Sequence, residues 1–329
     1  MIRIGFQIPN FTFPAVAPDQ LFDKIAAIAT TAESSGFDTV MVMDHFYQLP
    51  MLGPADREMF EAYTLLGALA ARTSSARLGT LVTGVTYRNP ALLAKEVTAL
   101  DVISRGRAFL GIGAAWYDVE HEGLGVDFPP VAERFERLEE VVQICRAMFR
   151  GERPTIDGRY YRVREAINSP APLQPGGPPI MIGGSGERKT LRLAAQYADA
   201  VNLLAAIPAI PHKLEVLARH CDAFERDMDD INKTTLLSLF LGRTAEEAEA
   251  KLRGLVASRG LDWSALDESA RASLTARFLY GDPDAVADQV HGLLQMGLDG
   301  VCVNLPADAH DLEAVAFAGE VLGKAVAQG

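Results

Sequence analysis

The sequence has few cysteines and no long apolar run. Its three cysteines, Cys145, Cys221 and Cys302, are far apart and odd in number, which argues against a disulfide framework, so we expect reduced core residues. No stretch approaches the roughly 20 apolar residues that a membrane span requires. The start, MIRIGFQIPN, lacks the basic region and long apolar core of a signal peptide. We therefore expect a soluble, cytoplasmic protein with no membrane partner.

Positive charge is also scarce. Lys and Arg total 31 against 43 Asp and Glu, a net charge of -12, which argues against nucleic acid because phosphates attract basic surfaces. The hydrophobic share of 49% and the charged share of 22% are typical of a globular enzyme. A chain of 329 residues can bury a large core without disulfides or metal. A small organic molecule is the expected partner.

Short apolar runs alternate with longer helical stretches along the chain. Near-continuous apolar strands indicate a parallel sheet that is covered on both faces, and about eight βα units suit an α/β fold of the (β/α)8 TIM barrel type. The predicted strands are Ile2–Ile8, Thr39–Met43, Leu78–Val82, Arg107–Ile112, Pro179–Ile182, Ala200–Leu203, Thr235–Phe240 and Gly300–Asn304. The predicted helices are Asp19–Ser34, Phe60–Thr73, Ala91–Ile103, Glu133–Phe149, Arg188–Tyr197, His212–Arg226, Ala245–Ser258 and Asp284–Met296. An open doubly wound sheet is the alternative, but QIPNFTF, not a GxGxxG turn, follows the first strand.

Glycines and two irregular stretches complete this pattern. Gly36, Gly106 and Gly297 each precede a strand and are predicted to end a helix, since glycine tolerates a left-handed helix terminus. Gly151–Pro178 and Gly260–Asp282 interrupt the alternation, and we expect structureless insertions there that serve as lids. We expect residues 1–329 to form one barrel domain with these two insertions.

Binding groups of a parallel barrel lie just after the strand ends. Asp44 and His45 follow the second strand in VMVMDHFYQLP. An imidazole there suits a proton donor or base near neutral pH, and Asp44 could orient a ring or a cofactor heteroatom. Equally, Asp44 could cap the next turn while His45 packs on a neighbour.

Small residues follow the third and fourth strands. After the third, Thr83 and Gly84 would let the backbone approach a flat ligand, or form a bulge that only turns the chain. Asn89-Pro90 then opens the next helix, a structural role.

In LGIGAAWYDVEHEGLG, after the fourth strand, glycine and alanine leave room for a ring, Trp116 and Tyr117 could form one wall, and Glu120 and His121 could project toward the barrel mouth. The small residues there are Gly111, Gly113, Ala114 and Ala115. HEGLG has no second histidine at helical spacing, so no zinc site or other metal site is predicted.

A glycine-rich turn follows the fifth strand in PIMIGGSGERKTLRLAAQ. It leads into a helix N-terminus, whose free backbone N–H groups bind anions. We predict that the turn residues Gly183, Gly184, Ser185 and Gly186 hold a phosphate. Arg188 or Lys189 could add positive charge.

Other catalytic patterns are missing. GGSGE is not a nucleophile elbow, and His220 and Cys221 are helix neighbours whose side chains do not face each other. His212, His291 and His310 are expected to be surface or packing residues.

The strand-end motifs resemble those of the luciferase-like monooxygenase superfamily. MDHF, LGTLVTGVTYRNPALLAKEVTALDVISRGRAFLGIGAAW and IMIGGSGERKTLRLAAQYADAVN carry the resemblance. It is strong from Met1 to about Cys221 and fainter beyond. GAAW-x-x-x-EH and GGSGERKT look most like the actinobacterial class that uses the deazaflavin coenzyme F420. The resemblance implies a barrel with insertions, and a homodimer.

The resemblance also implies roles for particular residues. Asp44 and His45 would face the deazaflavin ring, with His45 as proton donor or oxyanion partner. A strained bulge, which in the family is sometimes a cis peptide, would lie behind the ring. Gly113 to Trp116 would line the pocket, and the glycine loop would bind the cofactor phosphate. The residues of the bulge are Leu81, Val82 and Thr83, and those of the pocket and loop are Gly113, Ala115, Trp116, Gly183, Gly184 and Ser185. A phosphate after the fifth strand departs from the usual barrel site after strands seven and eight.

Three functions are compatible with this sequence. The first is an F420-dependent oxidoreductase that transfers a hydride between C5 of the ring and a substrate carbon. The second is a monooxygenase that uses reduced FMN, since both cofactors share a ring and a first phosphate. The third is a non-catalytic flavin-binding protein. The substrate depends on the two insertions and is not predicted.

Overall fold

The computed structural model describes residues 2–328 and contains twelve strands and eleven α-helices in this range. The strands are β1 (Ile4–Ile8), β2 (Thr39–Val42), β3 (Arg77–Thr80), β4 (Thr83–Gly84), β5 (Leu110–Gly113), β6 (Ile156–Asp157), β7 (Arg162–Val163), β8 (Ile180–Gly183), β9 (Ala200–Leu203), β10 (Asn232–Leu241), β11 (Phe278–Gly281) and β12 (Gly300–Asn304). The helices are α1 (Leu21–Ser35), α2 (Ala62–Ala70), α3 (Pro90–Ile103), α4 (Asp118–Leu124), α5 (Val131–Phe149), α6 (Thr190–Tyr197), α7 (Ile210–Ala223), α8 (Ala245–Ser258), α9 (Glu268–Thr275), α10 (Pro283–Gln295) and α11 (Leu312–Gln328).

The large sheet is parallel and curls into a barrel. Its order is β3-β2-β1-β12-β10-β9-β8-β5-β4, with β11 paired to β10. The circle is completed beside β5, where Leu78 pairs with Ala108 and exchanges backbone hydrogen bonds of 2.9 and 3.1 Å with Arg107 and Phe109. Helices separate most successive barrel strands. The predicted (β/α) TIM barrel with insertions is therefore confirmed.

The strands divide their side chains between two cores. Ile4, Phe6 and Ile8 of β1 point outward into the main core between sheet and helices. A smaller cluster fills the barrel interior and includes Met41, Phe109 and Met181. Burial on both faces is the reason that these strands are almost continuously apolar.

Local signals placed several helix boundaries correctly. Gly36, Gly106 and Gly297 have φ of 116°, 85° and 103°, the left-handed region that glycine adopts at low cost. Pro90 begins α3, and the Asn89 side chain accepts the N–H of Ala91 at 2.9 Å. The three cysteines are buried and unpaired, as predicted, and burial raises the pKa of each thiol.

Some strand bounds differ from the prediction. The predicted strand Leu78–Val82 is interrupted, because β3 ends at Thr80 and β4 begins at Thr83. The Leu81–Val82 peptide bond is cis, and the Thr80 hydroxyl accepts the N–H of Thr83 at 3.1 Å. β10 is longer than predicted and pairs with three strands.

The two insertions have secondary structure of their own, so the expectation of structureless loops is wrong. The first holds the antiparallel pair β6–β7, and the second holds α9 and β11, which joins the end of β10. Only Leu279 and Gly281 of β11 are buried, and so short an alternation is a weak strand signal. No helix within residues 2–328 is long and apolar enough to cross a membrane.

Candidate active site

His45 lies after β2 at the mouth of the barrel, and Glu120 of α4 holds it. Its Nδ1 is 2.7 Å from Oε1 of Glu120, and the side chains are 15% and 0% exposed. Within residues 2–328, Nε2 of His45 has no hydrogen-bond partner. That nitrogen is therefore the one available to a bound molecule.

Glu120 is buried but has four hydrogen-bond donors. Its Oε2 accepts the backbone N–H groups of Phe46 and Tyr47 at 2.9 and 3.3 Å, and its Oε1 accepts from His45 and from the Tyr87 hydroxyl. Burial alone would raise the pKa of Glu120, but these bonds and the charge of His45 outweigh burial and lower the pKa. The carboxylate is therefore ionised near neutral pH.

From their place in the sequence after the fourth predicted strand, Glu120 and His121 could both project toward the mouth. Both side chains are fully buried on the inner face of α4. His121 bonds to the Tyr117 carbonyl at 2.7 Å and to the Thr86 hydroxyl at 2.6 Å, and it stacks on the Tyr87 ring. The adjacent residues Glu120 and His121 do not by themselves indicate which face of α4 packs against the rest of the protein.

Aromatic side chains line one side of His45. Trp116 and Tyr117 have ring centroids 5.8 and 6.0 Å from the imidazole, both edge-on, and they stack on each other at 5.2 Å. Trp116 is 53% exposed, whereas Tyr117 is buried. Trp116 is thus the member of the pair that a ligand in the mouth can touch.

Asp44 precedes His45, but its carboxylate is engaged elsewhere. Arg88 makes a bidentate pair with Asp44 at 2.7 and 2.9 Å, and the Gly84 N–H donates to Asp44 at 3.1 Å. Arg88 also contacts Glu61 at 2.6 Å and Glu96 at 3.1 Å. Asp44 is buried, and its carboxylate supports the backbone of β4 at Gly84.

A chain of hydrogen bonds connects the Leu81–Val82 segment through β1 and β12 to β10 on the opposite side of the barrel. The Leu81 carbonyl accepts from Gln7 at 3.0 Å, Gln7 accepts from Asn304 at 3.1 Å, and Asn304 accepts from Ser238 at 3.0 Å. On the outer side, the Thr83 hydroxyl bonds to Tyr63 and Thr80. The sequence-based prediction missed Gln7, Asn304 and Ser238. A polar residue inside an apolar strand, as in IGFQI and GVCVN, was the signal that could have found them.

Strand-end glycines make room for Val82. A Cβ on Gly183 or Gly113 would come 2.7 or 3.0 Å from a methyl of Val82, and one on Gly111 would overlap the Thr80 carbonyl oxygen. Gly111 and Gly113 thus leave room for the backbone at Thr80 and the side chain of Val82.

Arg134 of α5 holds the turn after β5. Its guanidinium donates to the carbonyls of Ala114 and Ala115 at 3.0 and 2.5 Å and lies over the Phe128 ring. Ala115 has φ of 55°, an uncommon value that these bonds support. The turn places Trp116 beside His45.

The glycine turn after β8 has open backbone donors. Gly184 has φ of 130° and donates its N–H to the Asn202 carbonyl at 2.9 Å, whereas the N–H groups of Ser185, Gly186 and Glu187 have no protein partner within residues 2–328. The Ser185 hydroxyl donates to the Leu204 carbonyl at 2.9 Å and keeps its lone pairs. Such a row of free N–H groups before α6 suits an anion.

The basic residues beside the turn are exposed, and two of the other histidines contact neighbouring groups. Arg188 and Lys189 are exposed next to this turn. His212 pairs with Glu187 at 3.2 Å, and His291 packs against α11 through the Ala325 carbonyl. Among the described residues, no group of three or more His, Cys, Asp or Glu side chains is arranged so that it could hold a metal ion.

The barrel described above corresponds to a known protein family. The model of the luciferase-like monooxygenase family matches residues 2–300. The chain belongs to this family. The resemblance that the strand-end motifs indicated is thereby confirmed.

Individual members of the luciferase-like family are similar over almost the whole chain. An F420-dependent glucose-6-phosphate dehydrogenase of Kineococcus radiotolerans is 28% identical over 322 residues, which cover 91% of this chain and 92% of the relative. The F420-dependent tetrahydromethanopterin reductase of Methanopyrus kandleri has a TM-score of 0.78 at 20% identity, with 99% of both chains covered. The FMN complex of the oxygenating constituent of 3,6-diketocamphane monooxygenase from Pseudomonas putida has a TM-score of 0.75 at 20% identity, covering 99% and 98%. The two structures support the fold.

Proposed function

We propose that this chain is a coenzyme F420-dependent oxidoreductase that transfers a hydride between the deazaflavin C5 and a carbon of a small organic substrate. The observation that carries the proposal is His45, whose Nε2 is free at the barrel mouth while Glu120 engages Nδ1. The relative named as an F420-dependent glucose-6-phosphate dehydrogenase supports the choice of cofactor, because its similarity extends along 91% of this chain.

The residues at the mouth fit a deazaflavin. The unpartnered N–H groups of Ser185, Gly186 and Glu187 would hold its phosphate, while Val82 would lie behind the ring and Trp116 beside it. When bound, the cofactor supplies a hydride-accepting or hydride-donating carbon that reacts poorly with oxygen. Asp44 would position the pocket through Gly84 instead of touching the ring.

The chain itself would handle the proton. Oxidation of an alcohol carbon releases one proton for each hydride, and reduction of a carbonyl consumes one. Nε2 of His45 would take or give that proton, since Nδ1 is occupied by Glu120. The aromatic wall at Trp116 and Tyr117 would keep water from the reacting atoms.

Intrinsic fluorescence tests cofactor choice directly. The chain has two tryptophans, Trp116 at the mouth and Trp263 in the second insertion. In a Trp263→Phe variant, Trp116 is the sole reporter, and we expect saturable quenching by oxidised F420 that a Trp116→Phe variant loses. Tight quenching by FMN without any by F420 would contradict the proposal.

Activity separates the proposed enzyme from its alternatives. We expect F420 reduction, followed by absorbance, with a substrate of the dehydrogenase type, and glucose 6-phosphate is the first compound to assay because of the relative's name. A His45→Gln variant should bind F420 normally but lose about 10²–10⁴-fold in kcat. Oxygen consumption with reduced FMN would instead favour the monooxygenase, and the absence of any turnover would favour a binding protein.

We also propose a cytoplasmic homodimer. Three buried, unpaired thiols support a reducing compartment. Leu92 and Ile103 of α3 are 62% and 50% exposed, and large exposed apolar side chains on one helix are typical of a contact surface. Sedimentation should give twice the monomer mass, and Leu92→Glu should reduce it. A wild-type monomer at micromolar concentration would contradict the dimer.

A further inference from the structure

We infer that Glu120 is a positioning residue that fixes the ring tautomer of His45, so that Nε2 presents a lone pair to the substrate. This inference rests on the proposed function, because Nε2 is the nitrogen assigned to the proton step. Glu120 itself is fully buried and does not reach the mouth. Its effect on chemistry is therefore exerted through His45.

The two oxygens of Glu120 have separate sets of donors. Oε2 accepts the backbone N–H groups of Phe46 and Tyr47, which fasten the segment after β2 to α4. Oε1 accepts from Nδ1 of His45 at 2.7 Å and from the Tyr87 hydroxyl. An ionised carboxylate accepts hydrogen bonds and donates none. In the neutral imidazole the hydrogen must therefore lie on Nδ1, which leaves Nε2 as the base.

No other charged group competes for this ring within residues 2–328. His121, the neighbour of Glu120 on α4, bonds to Thr86 and to the Tyr117 carbonyl. Asp44, which precedes His45, is paired with Arg88. The orientation of the imidazole thus depends on one buried carboxylate, which lies 75 positions away in the sequence.

Glu120→Gln is the decisive variant because it keeps shape and removes charge. The N–H groups of Phe46 and Tyr47 require an oxygen, so the new amide NH₂ would take the place of Oε1 and donate to Nδ1 of His45. The ring hydrogen would then move to Nε2, and the base would be lost. We expect kcat to fall about 10²–10⁴-fold, while KM and the F420 dissociation constant stay close to those of the wild type.

Nitrogen NMR reads the tautomer without cofactor or substrate. The chain has six histidines, so a sample labelled with ¹⁵N-histidine gives few signals, and the set that is missing in His45→Gln belongs to His45. We expect Nδ1–H in the wild type at alkaline pH, where the imidazole is neutral, and Nε2–H in Glu120→Gln. Two variants that keep a carboxylate, Glu120→Asp and Tyr87→Phe, should keep Nδ1–H and more of the activity.

Several results would overturn the inference. One is an Nδ1–H signal in Glu120→Gln, and another is an unchanged kcat despite an inverted tautomer. A third is a loss of F420 affinity in Glu120→Gln as large as the loss of kcat, because Glu120 would then serve only to anchor the segment after β2. A failure of the proposed function would look different: F420 would not quench the fluorescence, while the NMR signals of His45 would remain as described.

Discussion

Arg88 and Asp44 form a bidentate ion pair at 2.7 and 2.9 Å behind the barrel mouth. Arg88 is also the cation that faces Glu61 and Glu96. Burial, offset in part by Arg88, raises the pKa of Glu96. This arrangement places three carboxyl groups around one guanidinium.

Replacing Arg88 with Met should therefore be costly. A buried ion pair that loses one partner destabilises a protein by about 3–5 kcal/mol, and Asp44 is buried. We expect that loss in the urea-derived free energy of unfolding at pH 7. The double variant Asp44→Asn, Arg88→Met should recover part of it. A loss in the single variant no larger than that of the double would contradict this account.

Val82 and Gly183 should be coupled in a double-mutant cycle. The three atoms nearest to a Cβ on Gly183 all belong to Val82, the first a methyl at 2.7 Å, so Gly183→Ala alone should displace Val82 and weaken F420 binding. Val82→Ala removes the clashing methyls and should make Gly183→Ala much less harmful. Additive effects of the two substitutions on the dissociation constant would show that they do not interact.

Replacing a glycine of the turn after β8 tests whether the left-handed backbone conformation there is needed for F420 binding. Gly184 has φ of 130°, which alanine adopts only with strain, so Gly184→Ala should distort the turn and lower the affinity for F420. Gly254 is the matched control, because it lies inside α8 and a Cβ added there would have no neighbour within 4 Å. Gly254→Ala should leave affinity unchanged and stabilise by up to about 1 kcal/mol. Equal affinity in both variants would count against a phosphate site at the turn.

Acid stability should depend on Glu33. Burial would raise the pKa of Glu33, but the N–H groups of Ala76, Ser75 and Ser74 together lower it below its ordinary value of 4.5. Its stabilising contribution is therefore complete above pH 4.5 and is lost as the pH falls through the lower folded-state pKa. In Glu33→Gln, the free energy of unfolding should be lower at pH 7 and should fall less steeply below that ordinary pKa.

The control for this titration is Glu215→Gln, at an exposed position on α7. Urea unfolding at several pH values should give the wild-type curve for this variant. A Glu33→Gln curve parallel to the wild type below pH 4.5 would show that Glu33 does not contribute to acid unfolding.

Patterns within a few residues determined much of the fold. The apolar runs of β1 and β12, the glycine stop at Gly36 and the Asn89-Pro90 start of α3 each depend on neighbours along the chain. The turn from Gly183 to Gly186 was predicted for the same reason, because a glycine cluster before a helix is a local signal. The interruption after Thr80 and the short β11 were missed, since neither has a periodic pattern long enough to detect.

The tertiary structure alone decided which side chains meet at the mouth. Position after β2 marked His45 as a candidate, but its partner Glu120 is 75 residues away, and Gln7 and Asn304 are 297 residues apart. Such pairs form only when the barrel closes, and nothing in the local sequence specifies them. The same holds for Asp44, whose carboxylate pairs with Arg88, 44 positions away, and accepts the N–H of Gly84. The sequence by itself thus determined the barrel and the strand ends that carry the site, whereas long-range packing determined which groups there are free and which are occupied.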